Sequence, residues 1–236
     1  MWSGVSEHPY AQLTPDAVLD ALASLGLDVD GRLDALSSYE NRVYLAHCHD
    51  EAPVVAKFYR PGRWSEAQIR EEHAFALQLA EQEVPMVAPR VLRGDSLHLW
   101  RVNEDTAFWF AVAPRRGGRQ PDCDDPEVLT WLGRFLGRMH GVGEQGGFVH
   151  RPELTLQSMG WDSHRAVMDS GLLDPSQSAT WDAAARQALL AVEQATQGHE
   201  PRRIRLHGDC HLGNILWTPI DMPEPGPHFV DLDDTR

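Results

Sequence analysis

Three side chains near the end of this 236-residue chain, Asp209, Asn214 and Asp231, are of the types that handle phosphate esters and hard cations. A carboxylate can accept the proton of an attacking hydroxyl, while a second carboxylate and an amide oxygen can share Mg²⁺ without piling up negative charge. Asp209 and Asn214 belong to the run His207-Gly208-Asp209-Cys210-His211-Leu212-Gly213-Asn214, and Asp231 follows an apolar stretch in Val230-Asp231-Leu232-Asp233-Asp234. The five-residue interval and the acid at a strand end suit one proton acceptor set near a pair of oxygen ligands for a cation.

A cation for the phosphates stands far upstream. Val54-Val55-Ala56-Lys57-Phe58-Tyr59 sets a lysine inside an apolar strand, where its charge is costly unless a carboxylate or a phosphate meets it. Lys57 is the only lysine in the chain, so no other ammonium can replace it. Glu72 falls on the apolar stripe of a predicted helix and is the natural partner. Before Lys57, the segment 36–44 lacks glycine but offers backbone N–H groups and the hydroxyls of Ser37 and Ser38 to phosphate oxygens.

The elements that must position these groups are legible from capping and periodicity. Thr14-Pro15-Asp16 starts a first helix and Gly26 stops it. Residues 42–47 and 54–59 alternate as a hairpin, and Ser65 with Gln68 forms a capping box for a helix running to about Glu83, with Ile69, Ala76, Leu79 and Ala80 on its apolar stripe. Segments 90–92, 97–102 and 106–113 read as three more strands, completing a sheet of about five. Residues 114–121, with two glycines and three arginines, are the expected linker. Beyond it, Asp125 caps a helix with Leu129, Leu132, Leu136 and Met139 on one face; helices follow near 156–168 and 177–197, then a short strand at 204–206. The fold class predicted is α+β, with residues 1–114 as a sheet-bearing lobe and 115–236 as a mainly helical one.

Composition narrows the class of protein. Hydrophobic residues make up 42% and charged residues 24%, ordinary globular values. A net charge of −14, spread along the chain, disfavours nucleic acid as a partner. Three cysteines without C-x-x-C spacing indicate neither a disulfide framework nor a zinc knuckle, and no apolar run of membrane-spanning length is present. With no basic or apolar leader at the N-terminus, the expectation is a cytoplasmic, monomeric protein. His207-x-Asp209-x-His211 could ligate the metal of a hydrolase, but no further His-rich motif follows and the downstream acids suit Mg²⁺ better.

Taken in order, the serine loop, strand lysine, helix glutamate, linker, H-G-D-x-H-x-x-N and V-D-L-D segments resemble the aminoglycoside phosphotransferase and choline kinase branch of the protein-kinase-like fold. Ser38-Tyr39-Glu40-Asn41-Arg42, Glu71-Glu72-His73, Gly117-Gly118-Arg119-Gln120 and Leu136-Gly137-Arg138-Met139-His140 are similar to the bacterial serine/threonine protein kinases of that branch, which are linked to stress responses. The resemblance implies a bilobal kinase fold using ATP and Mg²⁺, with a Ser/Thr hydroxyl of a protein as acceptor. By the same likeness Asp209 is the proton acceptor, Asn214 and Asp231 hold the metal, and Asp231 also counts among the catalytic residues. Ser38, Lys57 and Glu72 contact or anchor ATP, Ala111 and Ala113 belong to the adenine-binding hinge at 110–114, and His207 and Asp233 stand behind the reacting groups. The branch also has small-molecule kinases acting on amine-bearing alcohols, and it continues past the last acidic segment with further helices. The C-terminal lobe is therefore expected to be incomplete, with exposed apolar surface, and a nucleotide-binding pseudokinase is the third reading.

Overall fold

The computed structural model describes residues 8–199 and 201–236; residues 1–7, read above for a leader, lie outside them. Helix α1 (Pro15–Ser24) begins as its sequence dictates, the Thr14 hydroxyl accepting from the Ala17 N–H and Pro15 occupying the first turn. An antiparallel five-stranded sheet follows, built of β1 (Val29–Leu36), β2 (Arg42–Cys48), β3 (Val54–Phe58), β4 (His98–Arg101) and β5 (Ala107–Pro114) in the spatial order β1-β2-β3-β5-β4.

The strand count matches the prediction, but its membership differs. Segment 90–92 is not a strand: Arg90 N–H reaches the Val112 carbonyl and Leu92 pairs with Asp95 in a tight turn, so the chain only brushes β5. Its place is taken by β1, whose Val-Asp-Gly-Arg-Leu-Asp-Ala-Leu sequence lies at the sheet edge, mostly solvent-facing and with an irregular register against β2. An edge strand with few buried positions carries little apolar alternation for a sequence to display.

Period-two alternation in the central strands separates core from cleft. Val54, Ala56 and Phe58 of β3, with Phe108, Phe110 and Val112 of β5, turn toward α1 and pack with Tyr10, Val18 and Leu22. Lys57 and Val55 face the other way, and the register pairs Lys57 with Ala111 and Val55 with Ala113.

Helix α2 (Glu66–Glu81) has the predicted capping box and buries Ile69, Glu72, His73, Phe75, Ala76 and Leu79, whereas Ala80 faces solvent. Ile69 packs beneath the sheet with Tyr59, Leu97 and Ala111. Phe75 and Leu79 join a second core formed with α3 (Pro126–Gly143) and the hairpin of β6 (Ile215–Thr218) and β7 (Gly226–Phe229), through Leu132, Met139, Ile215, Trp217 and Phe229. One helix thus belongs to both halves of the molecule. On α3 the buried face is Val128, Leu132, Met139 and Val142; Leu132 and Met139 lie as predicted, whereas in the first turn Val128 points inward and Leu129 is 49% exposed.

A π turn (Gln157–Trp161) leads into α4 (Asp162–Asp169), and α5 (Pro175–Thr196) follows; neither helix buries a residue. The expected strand at 204–206 is extended chain without a ladder, held at Leu206 by paired backbone bonds with Arg236. Among the described residues no helix is long and apolar enough to cross a membrane.

Two consequences are measurable. At the end of α3, a Cβ on Gly143 would fall inside the Arg205 carbonyl, backbone that cannot swing aside. Gly143→Ala should therefore cost about 1–3 kcal/mol, read as a lower Tm. His73 is neutral in the fold, burial having lowered its pKa from 6.5 to about 3. The unfolded chain binds the extra proton, so this contribution is complete above pH 6.5 and is lost as pH falls toward 3. Stability should decline over that window by at most about 1.4 kcal/mol per pH unit from this group, and His73→Gln should flatten the decline in a pH series of melts.

Candidate active site

Lys57 is the centre of a charge cluster. Its Nζ lies 3.3 Å from Glu72 Oε1, 3.1 Å from Asp231 Oδ1 and 3.0 Å from Asp233 Oδ1, the last a charge contact rather than an aligned hydrogen bond. Burial would pull the ammonium's pKa down, but the carboxylates of Glu72, Asp233 and Asp231 outweigh it and hold the value well above that of an ordinary lysine. Burial likewise opposes the Asp233 carboxylate, yet Lys57 and the Asn41 amide, which donates to Oδ2 at 3.1 Å, keep its pKa below the usual range. Asp233, expected behind the reacting groups, thus touches Lys57 directly.

Sequence reading missed Arg151. Its side chain is 0% exposed; Nη2 donates to Glu72 Oε2 at 2.6 Å, Nη1 to the Asp233 carbonyl at 2.6 Å and Nε to the Gln68 carbonyl at 2.9 Å. The guanidinium also lies over Trp64, 4.4 Å from a ring centroid. Burial and Glu72 keep the Tyr59 phenol protonated. One consistent donor chain then runs from Ser96 to His73 Nδ1, from His73 Nε2 to Tyr59, and from Tyr59 to Glu72 Oε1. No motif flags Arg151, which sits in irregular chain after α3; its one sequence clue is a buried glutamate, Glu72, with two oxygens to satisfy and only one lysine available.

The opposite wall is the loop after Leu206. His207 Nε2 donates to the Val230 carbonyl at 2.9 Å, and burial lowers its pKa, so it acts as a neutral strut and does not line the cleft. Gly208 adopts φ +87°, and a Cβ there would collide with the Asp234 carbonyl, so only glycine lets this loop lie against the Asp231–Asp234 segment. Asp209 follows with its side chain 52% exposed. Asn214 donates through Nδ2 to the Asp209 carbonyl at 2.9 Å, and its own carbonyl accepts from Val230 N–H at 3.0 Å, which sets Asn214 beside Asp231. Asp231 has φ +61°, a left-handed conformation that aspartate and asparagine tolerate better than most residues.

Ser38, Lys57, Glu72, Ala111, Ala113, Asp209, Asn214, Asp231 and Asp233 line one cleft of about 1330 Å³. Of the predicted site residues only His207 stands behind it. A smaller hollow of about 550 Å³ between α4 and α5, lined by Trp161, His164 and Asp182, contains none of them.

The donor chemistry can be tested against a hard divalent cation. Asp231 presents a carboxylate that is 49% exposed, and Asn214, its N–H₂ turned to Asp209, has its amide oxygen left as an acceptor. Among the described residues no three His, Cys, Asp or Glu side chains cluster closely enough to cage a metal. Two oxygen donors without a cage suit Mg²⁺, which completes its shell with water and phosphate oxygens.

The chain is 42% identical over 231 residues to stress response kinase A of Escherichia coli K12, covering 98% of this chain and 67% of that one. It is 40% identical over 227 residues to the serine/threonine protein kinase RdoA of Salmonella typhimurium, covering 96% and 66%. The chain thus spans about two thirds of the length of the curated relatives it matches. Among solved structures it superposes on an amicoumacin kinase in complex with AMP-PNP, Ca²⁺ and Ami (TM-score 0.73, 19% identity, 95% of this chain and 65% of that one). It also superposes on a microcompartment-associated aminopropanol kinase (TM-score 0.69, 21% identity, 94% and 70%). A family model described as the phosphotransferase enzyme family matches residues 33–236, from β1 through the last acidic segment, and with that match the chain belongs to this family.

Proposed function

We propose that this protein transfers the γ-phosphoryl group of ATP to a serine or threonine hydroxyl of a protein, with Mg²⁺ as the divalent ion. The observation that carries the reading is the convergence on one cleft of Lys57, held within about 3 Å of three carboxylates, with Asp209 and Asn214 on the facing wall. The lobes meet at the end of β5, with 1–114 above the cleft and 115–236 below it.

Each side chain then has a task. Ala111 and Ala113, small and on the cleft face of β5, leave a flat surface beside backbone that can hold the adenine ring. Lys57, charged and kept in place by Glu72, is placed for the phosphates, while Ser38 and the backbone of its loop close over them. Asp231 and the Asn214 amide oxygen would hold Mg²⁺, which screens the phosphate charge when bound. Asp209, its backbone fixed by Asn214, faces open solvent and accepts the proton of the incoming hydroxyl.

Support for a protein acceptor comes from the names of the relatives at 40–42% identity. A second reading, a small amine-bearing alcohol as acceptor, draws on the solved structures named for small-molecule kinases and on the exposed carboxylates at the cleft mouth.

Transfer of ³²P from γ-labelled ATP with Mg²⁺, to the chain itself, to a basic protein and to a panel of amino alcohols, separates the readings. Asp209→Ala should lower transfer by about 10²–10⁴-fold; full labelling by that variant would end the assignment of Asp209. Asp231→Asn, which keeps a residue type at ease with positive φ, should fold with an unchanged melt yet lose metal-dependent transfer. Labelling confined to an amino alcohol would replace the protein acceptor with the second reading.

A further inference from the structure

One cation in the cluster has no task in the scheme above. Arg151 cannot meet a nucleotide: its side chain is 0% exposed and three of its five N–H groups are spent on Glu72, Asp233 and Gln68. A buried guanidinium is an expensive fastener where apolar packing would hold the halves together as well. Its acceptors, however, are the two elements that define the cleft. Glu72 lies on α2 and aims Lys57; Asp233 lies two residues beyond Asp231.

We propose that Arg151 is a positioning residue for phosphoryl transfer, acting through Glu72 and the Asp233 carbonyl so that Lys57 and Asp231 address the same nucleotide. The assignment rests on the reading of the cleft as an ATP site. With Nη2 on Glu72 Oε2, the carboxylate has only Oε1 left for Lys57. Charge counting points the same way. Lys57 alone faces three carboxylates, Glu72, Asp231 and Asp233, and a second cation leaves its ammonium less fully claimed and able to bind phosphate. The arginine is itself anchored: the backbone N–H groups of Val149, His150 and Arg151 donate to the Glu71 carboxylate at 2.6, 2.8 and 2.9 Å. Neighbouring glutamates on α2 therefore grip this segment, one by its backbone and one by its guanidinium, and tie the helix to the lower half of the molecule.

Because Lys57 is the only lysine, its modification by an N-hydroxysuccinimidyl ester, located by peptide mass spectrometry, reports nucleotide seating without turnover. The ATP concentration that half-protects Lys57 should rise about tenfold or more in Arg151→Gln, a loss of about 1.4 kcal/mol. Arg151→Lys keeps the charge but cannot fork to both acceptors, so it should fold and still show weakened protection. The double variant Arg151→Gln/Glu72→Gln should lose less than the sum of the two single variants, since the arginine acts in part through that carboxylate. Wild-type protection in a folded Arg151→Lys or Arg151→Gln, or additive losses in the double variant, would overturn the assignment and leave the ATP reading standing. Absence of protection in the unaltered chain would remove the ATP reading and this assignment with it.

Discussion

Lys57 must keep its charge in an apolar strand, and much of the surrounding structure answers that requirement. Desolvating an ion costs several kcal/mol even after relaxation, and removing one partner of a buried pair costs about 3–5 kcal/mol. Surface pairs such as Arg70–Asp95 are screened by solvent and contribute about 0–1 kcal/mol, so they cannot set the arrangement. The cluster can. Its members come from β3, α2, the chain after α3 and the segment after β7, so satisfying one ammonium fixes four separate pieces of backbone.

Packing and charge reinforce each other along α2. Its first half supplies Ile69, Glu72 and His73 beneath the sheet, and its second half supplies Phe75 and Leu79 to the core around α3 and the β6–β7 hairpin. Residues 85–87 then add backbone bonds to Phe229, laying the chain that leaves α2 alongside β7. A swing of α2 away from the cleft would have to break the Lys57–Glu72 contact and expose this second core together. That linkage makes the helix a fixed wall rather than a loose one.

Legibility in the sequence followed how local the cause was. The capping box, the Pro15 helix start and the alternation of Val54–Phe58 are set by neighbours and were plain. So was the turn at 209–214, because the Asp209–Asn214 interval reflects a local loop in which the amide bonds the aspartate's own backbone. Arg151 was not legible, since its partners are about 80 residues away on either side and nothing periodic surrounds it. Asp233 is expected from sequence behind the reacting groups, and only the fold reveals that it is buried against Lys57 while Asp231 is half-exposed. Edge strand β1 escaped for the opposite reason, burying too little to leave a pattern.

Exposure along the cleft orders the charges by what each can touch. Arg151 is sealed, Lys57 is 18% exposed, and Asp231 and Asp209 are about half-exposed at 49% and 52%. Both cations therefore lie deep beside the buried carboxylates of Glu72 and Asp233, and Asp231 and Asp209 stand at the mouth. A polyanionic phosphate chain is drawn inward past the acids only if a divalent ion offsets them, which ties nucleotide entry to the metal. At the mouth Asp209, which is not among the proposed ligands of that ion, favours an acceptor whose hydroxyl sits near positive charge, whether on a basic peptide or an amine-bearing alcohol. The cleft's geometry thus shapes the donor side through contacts and the acceptor side through charge.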